Sequence, residues 1–414
     1  MTAYRFLQPL DVLYLRGNKL FDGAGAHGEA LMPPWPSVAA GAIRSRMLAD
    51  AGVDFAAFAR GEAITDANLA HVLGTPDKPG DFRLTLFTLA RRFTTTDSDG
   101  SGPNDRPEPC FPLPADVVVS DAAGLADATY LTPRRLPVGS SGGRTLPLAP
   151  VLRSRQPAKP ASGLWLNGAG WHAYLRGEAL APAHLLRNSE LWGNDPRLGI
   201  ALERERGTVE RGMLYTAETV ALRRLEGYAR GSNGIGFDTG FLVGVDGADG
   251  TLPESGLLRL GGDGRGSSMA LVQVGIPEPD WDQIAWDRRF RLVLTSPGLF
   301  PDGWRLPGVD GSGRWRGPDG LSARLAAAAV PRAVTVSGWD LAAWSRGRGG
   351  AKPALRAAPV GSVYWLDELE GPEAALRKLA DQGLWSENVE DARDAGRRAE
   401  GFNRCQFAHW PAND

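Results

Sequence analysis

The sequence predicts an α+β protein of two split βαβ domains, ferredoxin-like or RRM-like in class, the first carrying a long loop-rich insertion. Three observations lead there. From about Pro277 onward, apolar alternation and helical periodicity follow one another in the order β-α-β-β-α-β. The first 277 residues read in the same order once a stretch at about 94–211 is set aside. Each copy then closes with a helix, a glycine-bearing loop and a last strand: "LRLGGDGRGSSMALVQVG" (258–275) in the first and "GFNRCQFAHW" (401–410) in the second. The expected domains are therefore 1–277, with the insertion, and 278–414.

The elements are justified in order. "YRFLQPLDVLYLRG" opens as a strand rich in β-formers. "MPPWPSVAAGAIRSRMLAD" follows as a helix with Ser37 as N-cap and Ala39, Ile43 and Met47 in its apolar stripe. "DFRLTLFTLARRF" alternates as a strand should. The insertion is dense in Pro, Gly and Ser, with one helical piece near "PAHLLRNSELWG"; a loop of that length in a compact domain is functional or disordered. "RGMLYTAETVALRRL" and "GFDTGFLVGVDG" read as further strands. "PESGLLRL" takes the place of the closing helix, and "SSMALVQVG" is the last strand. In the second copy, "RRFRLVLTSPGLF", "RAVTVSGWDL" and "GSVYWLDEL" read as strands. "LSARLAAAAV" and "GPEAALRKLADQG" read as helices, the latter stopped by Gly383.

Composition narrows the function classes. Among 414 residues there are 53 glycines and 31 prolines, and the net charge is −2, so long shaped loops are expected and bulk-charge coating of nucleic acid is not. Two cysteines, Cys110 and Cys405, fit a reducing compartment and give no zinc spacing. The N-terminal stretch lacks a signal pattern and no apolar run reaches membrane-spanning length, so a cytoplasmic location is expected, with no membrane contact.

"GGDGRG" is not a phosphate-hydrolysing loop: it lacks the Gly-Lys-Ser/Thr ending, and it leads into a strand rather than opening a helix. It is either a plain turn or a backbone nest beside Arg265 able to hold RNA phosphates. "DSDGSGPNDRPE" (97–108) matches a calcium-loop template at Asp97, Asp99, Ser101, Asp105 and Glu108. It lacks flanking helices and is read as a solvated loop. Five scattered histidines form no metal spacing. His409, among aromatics, is read as packed, and only His27 sits where general acid–base work can be imagined. No catalytic constellation, metal site or cofactor site is expected.

Basic loops are the positive signal. From Leu131 through Gly177 there is no acidic residue, while Arg134, Arg135, Arg144, Arg153, Arg155, Lys159 and Arg176 occur with Trp165, Trp171 and Tyr174 between them. "AAWSRGRGGAKPALRAAP" repeats the pattern with Arg346, Arg348, Lys352 and Arg356, and the first helix carries Arg44 and Arg46. Arginine for phosphates, rings for bases and glycine for close backbone approach suit single-stranded RNA; solvated surface loops are the plainer alternative.

The blocks "PLDVLYLRGNKLF", "PPWPSVAAGAIRS", "LRLGGDGRG", "LTSPGLFPDGW", "KPALRAAPVGSVYWL" and "GFNRCQFAHW" resemble, in order, blocks of the RAMP superfamily. More narrowly they resemble third subunits of the Cmr effector module of type III-B CRISPR systems. The resemblance implies a non-catalytic RNA-binding scaffold subunit of an antiviral ribonucleoprotein, with two ferredoxin-like domains. It implies a grip on the 5′ tag of the CRISPR RNA and docking to the large polymerase-cyclase-like subunit and to a RAMP backbone subunit, target RNA being met indirectly. By motif, Gly261, Gly262, Gly264, Arg265 and Gly266 are expected to contact RNA or a subunit, and Arg44 and Arg46 to face the tag. Gly401, Phe402, Asn403 and Arg404 are expected to do the equivalent or to pack a domain seam. Two alternatives remain at this point: a RAMP endoribonuclease processing repeats, resting on His27, and the equivalent 5′-end scaffold of another CRISPR complex type.

Overall fold

The computed structural model describes residues 2–17, 27–94, 106–120, 128–137, 146–153, 159–203, 205–225, 236–340, 343, 347, 350–385 and 391–411. The chain is a mixed α/β protein with mostly antiparallel sheets. Its main elements begin with β1 (Ala3–Pro9), α1 (Pro36–Asp50), α2 (Ala67–Leu73) and β2 (Arg83–Thr94). Next come β3 (Glu108–Pro112), β4 (Leu164–Leu166), α3 (Gly168–Arg176) and β5 (Leu185–Arg187). The long ribbon β6 (Trp192–Leu202) and β7 (Val209–Leu222) leads to β8 (Gly236–Asp246), β9 (Ser255–Arg259) and β10 (Gly266–Leu271). The last part holds α4 (Trp281–Asp287), β11 (Phe290–Leu294), β12 (Arg314–Arg316) and β13 (Ser322–Ala329). β14 (Val363–Glu370), α5 (Glu373–Gln382), α6 (Ala392–Ala399) and β15 (Cys405–His409) complete it. Among the described residues no helix is long and apolar enough to cross a membrane.

Two compact units form, each discontinuous in sequence: 1–107 with 188–274 and 336–354, and 108–187 with 275–335 and 355–414. Most of the segment read from sequence as an insertion in the first domain thus folds with the second unit.

In the first unit the strands run β2-β8-β1-β10-β9, every neighbour antiparallel. The registers Leu7↔Phe241, Leu7↔Met269 and Phe241↔Leu89 put these apolar side chains on one face, where all four are buried. α1 buries Ala39, Ala40, Ile43, Met47 and Leu48. Its N-cap is Trp35, with no side-chain cap; Pro36 begins the helix and Ser37 lies in the first turn, because proline's fixed φ already suits the first helical position. The expected closing helix at "PESGLLRL" is instead the edge strand β9, which pairs with β10 through Leu257↔Ser268. "PAHLLRNSELWG" is a single 3-10 turn, the strand β5 and one helical turn rather than a helix.

In the second unit the order is β12-β13-β14-β11-β15. "LSARLAAAAV", expected as a helix, is the interior strand β13. Alanine's helix preference is at most about 1 kcal/mol per residue and is overridden by strand pairing on both sides. Ala323, Leu325, Ala326 and Ala327 are buried there, and register shifts absorb the small side chains. One core gathers Phe290, Leu292, Leu294, Trp315, Tyr364, Leu366 and Phe407 with Ile284, Leu376 and Leu379 from the helices.

With the edge strands β9 and β12 left out, the four remaining strands of each sheet, numbered in chain order, run 2-3-1-4, the strand order of a split βαβ unit. The helices are shared out differently. The first unit has helices between its first and second strands, and a hairpin where the second helix was expected. The second unit has irregular loops in the first place, and α5 and α6 in the second.

All five residues of β11 are buried, on both faces of the sheet. Helices cover the face of Phe290, Leu292 and Leu294. The segment 108–187 covers the other, where Arg291 Nη1 lies 2.7 Å from Asp116 Oδ2, the side chains 3% and 1% exposed. Arg291 Nε donates to the His409 carbonyl (3.0 Å) and Nη2 to the Tyr174 carbonyl (2.8 Å), while the Tyr174 hydroxyl donates to Asp116 Oδ1 (3.0 Å). Removing one member of such a pair strands a buried charge. Arg291→Met alone is expected to destabilise the second unit by about 3–5 kcal/mol, measured as a lower urea midpoint; an unchanged midpoint contradicts the assignment.

Candidate nucleic-acid interface

The first glycine loop is a tight hairpin end. The Leu260 N–H donates to the Arg265 carbonyl (2.9 Å), closing β9 onto β10, and Gly262 N–H donates to the Tyr14 carbonyl (2.8 Å). Gly261 has φ +80°, and a Cβ there would sit 2.8 Å from the Tyr14 carbonyl oxygen, so glycine is required both by conformation and by close approach. Asp263 (φ 58°) and Gly264 (φ 64°) continue the left-handed path. Arg265 is flanked by Asp11 (3.2 Å) and Asp263 (3.4 Å), both more than half exposed. Exposed pairs of this kind contribute at most about 1 kcal/mol, so a phosphate can replace the carboxylates at small cost. Asp11 carried no sequence signal; it lies 254 positions from its partner.

Arg44 and Arg46 do not extend freely from α1. Arg44 Nη2 donates to the Leu73 carbonyl at the end of α2 (3.3 Å). Arg46 donates to the Leu257 carbonyl on the edge strand β9 and pairs with Asp50 (2.7 Å). Their guanidinium groups fasten the helix to its neighbours, and Arg46 also occupies an open sheet edge.

The second glycine loop is interior. Phe402 is 0% and Asn403 2% exposed, which corrects the expectation that they touch RNA. Asn403, at φ 59°, accepts from Leu299 N–H (2.6 Å) and donates to the Leu384 carbonyl (3.4 Å). Arg404 donates to the carbonyls of Ala380 (3.2 Å) and Asp381 (2.6 Å), satisfying the last turn of α5. "GFNR" thus joins helix ends to the final strand within the second unit.

In the basic segment, Arg134 and Arg135 are exposed, Arg134 closing the short strand Thr132–Arg134 that pairs with Ala149–Val151. Arg144, Arg346 and Arg348 lie outside the described residues. Lys352 is half-buried and Arg356 exposed. The interleaved rings are not free for bases: Trp165, Trp171 and Tyr174 are 3%, 1% and 0% exposed, a second correction. They build a ladder instead, Phe111 on Trp171 (4.3 Å), Trp171 on Tyr174 (5.3 Å) and Tyr174 beside Tyr130 (6.1 Å). Arg291 stands over Tyr174 at 4.4 Å and Tyr130 at 5.0 Å, and Trp171 Nε1 donates to Gln406 (2.6 Å). The cations are displayed at the surface while the aromatics secure the segment from beneath.

The remaining candidates separate quickly. His409 Nε2 meets Asp287 at 2.6 Å, a hydrogen bond that holds the Asp287 carboxyl below its ordinary range. His27 belongs to a two-residue strand parallel to β7. The Asp97–Asp105 part of the calcium-like loop lies outside the described residues, and among the described residues no group of three His, Cys, Asp or Glu could hold a metal.

The family model for CRISPR-associated protein (Cas_Cmr3) matches residues 5–410. The chain belongs to this family. That match bears out the sequence resemblance to third subunits of the Cmr module. No curated protein matches the chain. Among solved structures, it is similar to a chain of the type III-B Cmr-beta complex bound to cognate target RNA, at 14% identity and TM-score 0.47, covering 97% of this chain and 96% of that one. A second similar chain, from the same complex with target RNA and AMPPnP, gives 15% identity and TM-score 0.44, with coverage of 96% and 93%.

Burial pushes the Tyr130 hydroxyl up to about 12 and, with Asp116 beside it, the Tyr174 hydroxyl well above its ordinary value; burial raises Tyr364 as well. These phenols keep their protons in the folded state above pH 10, where an unfolded chain loses them. The folded state then binds more protons, so stability falls as pH rises from about 10 toward 12. A 295 nm absorbance titration is expected to show three of the seven tyrosines ionising only on unfolding; full titration of the native protein near pH 10 contradicts the buried network.

Proposed function

We propose that the chain is a non-catalytic RNA-binding scaffold subunit of a type III-B CRISPR ribonucleoprotein. In this reading it holds the 5′ tag of the CRISPR RNA and docks on the large polymerase-cyclase-like subunit and a RAMP backbone subunit, in the cytoplasm. Target RNA is met through the assembled complex. The family match over residues 5–410 carries the reading. The two sheets, each in split βαβ strand order, support its two ferredoxin-like domains.

Two places supply cations for phosphate. Arg134 and Arg135 stand exposed on a segment fixed from below by the Arg291–Asp116 pair. Arg265 stands at the mouth of the "GGDGRG" hairpin, held by the exposed carboxylates of Asp11 and Asp263. Backbone-positioning contacts of this kind give affinity and register, while reading of the tag falls to unpaired bases.

Reversing Arg134 and Arg135 to glutamate tests the first place. Retention of a single-stranded CRISPR RNA is expected to drop. The plot of log affinity against log salt is expected to flatten by about 0.7 for each phosphate no longer neutralised. Unchanged retention and slope remove this segment from the RNA path.

A further inference from the structure

Strands β2 and β8 continue past the end of β1. The β1–β8 pairing ends at Leu7↔Phe241, whereas β2 and β8 remain paired through Arg91↔Thr239 and Phe93↔Phe237 to Thr94↔Gly236. Strand periodicity puts Arg91, Phe93, Phe237 and Thr239 on one face of this overhang. The Arg91 guanidinium lies 5.2 Å from the centre of the Phe93 ring and 5.5 Å from that of Phe237; the rings are 6.2 Å apart at 64°.

Two features separate this cluster from ordinary core. Its neighbours Leu89 and Phe241 are 0% and 1% exposed, yet Arg91, Phe93 and Phe237 are only half-buried. Beside them the Thr239 hydroxyl, in a side chain 3% exposed, has no hydrogen-bond partner among the described residues. A buried hydroxyl without a partner costs free energy unless a ligand satisfies it.

We propose that Arg91, Phe93 and Phe237 form a stacking platform for an unpaired base of single-stranded RNA, with Thr239 Oγ1 as a polar contact at its floor. The inference deepens the proposed function and rests on it. The chemistry selects the occupant. Bases stack on phenyl rings and on guanidinium planes, and Arg91 adds positive charge toward a polyanion. Asp238 alternates to the opposite face, where it pairs with Arg224.

The test uses the full-length chain and a fluorescent single-stranded RNA of mixed sequence, with urea midpoints as the folding control. Phe93→Leu with Phe237→Leu keeps apolar bulk and removes the rings. Affinity is expected to fall roughly tenfold, the size of one base stack, with the salt slope unchanged because every phosphate keeps its cation. Phe93→Trp is expected to retain affinity. If the wild type binds and the leucine variant binds equally well, the platform is overturned and the proposed function stands. If the wild type binds no RNA, both fail. If the leucine variant keeps its RNA affinity but no longer joins reconstituted partner subunits, the overhang is a protein-docking face and the proposal is overturned.

Discussion

The contact between Arg291 and Asp116 joins a strand in the middle of a sheet to the segment 108–187 that lies against it. Both charges are out of water, which is tolerable only because every direction of the guanidinium is occupied: a carboxylate, two carbonyls and two tyrosine rings. Taking Asp116 away would leave a cation in the interior; taking Arg291 away would leave a carboxylate there. The geometry therefore admits one seating of segment 108–187 on the second sheet. The aromatic ladder from Phe111 to Tyr130 is assembled around that seating. The exposure of Arg134 and Arg135 follows from it, since the same short stretch carries Tyr130 inward and the arginines outward.

The two units show how one strand order accommodates different loop chemistry. In the first, a hairpin replaces the second helix, and its glycine loop ends at the surface with Arg265 held by exchangeable carboxylates. In the second, helices occupy that position, and the corresponding "GFNR" turn must satisfy their carbonyls from within, so Asn403 and Arg404 spend their hydrogen bonds on the backbone. Two loops that look alike as glycine-led approaches to a closing strand thus do different work, because one adjoins a strand and the other a helix end.

Strong local patterns were legible in the sequence. The alternation of "FRLTLFTLARRF" and "RFRLVL", the apolar stripe after the prolines at 33–36, and Gly383 as a helix stop each correspond to an element in the right place. The alanine run of β13 was not, because a register irregularity at Leu325–Ala327 buries consecutive small side chains and breaks the alternation, and such a run also satisfies helix propensity. The candidate site was legible in composition but not in accessibility. Arg44, Arg46 and Arg404 are as basic as Arg134, yet their guanidinium groups are committed to carbonyls that only tertiary contact brings near. Trp171 and Tyr174 looked like base-stacking rings because their polar partners, Gln406 and Arg291, lie more than 100 positions away. The paired rings Phe93 and Phe237 could not be seen together without the register of β2 on β8.

The most direct measurement is purification of the tagged protein from its native host, followed by sequencing of the RNA that comes with it. A scaffold that holds the 5′ tag is expected to bring down small RNAs sharing one constant 5′ end, together with a very large subunit and repeated backbone subunits. Protein recovered free of RNA and of those partners would contradict that role, and the glycine hairpin would then be a turn and nothing more.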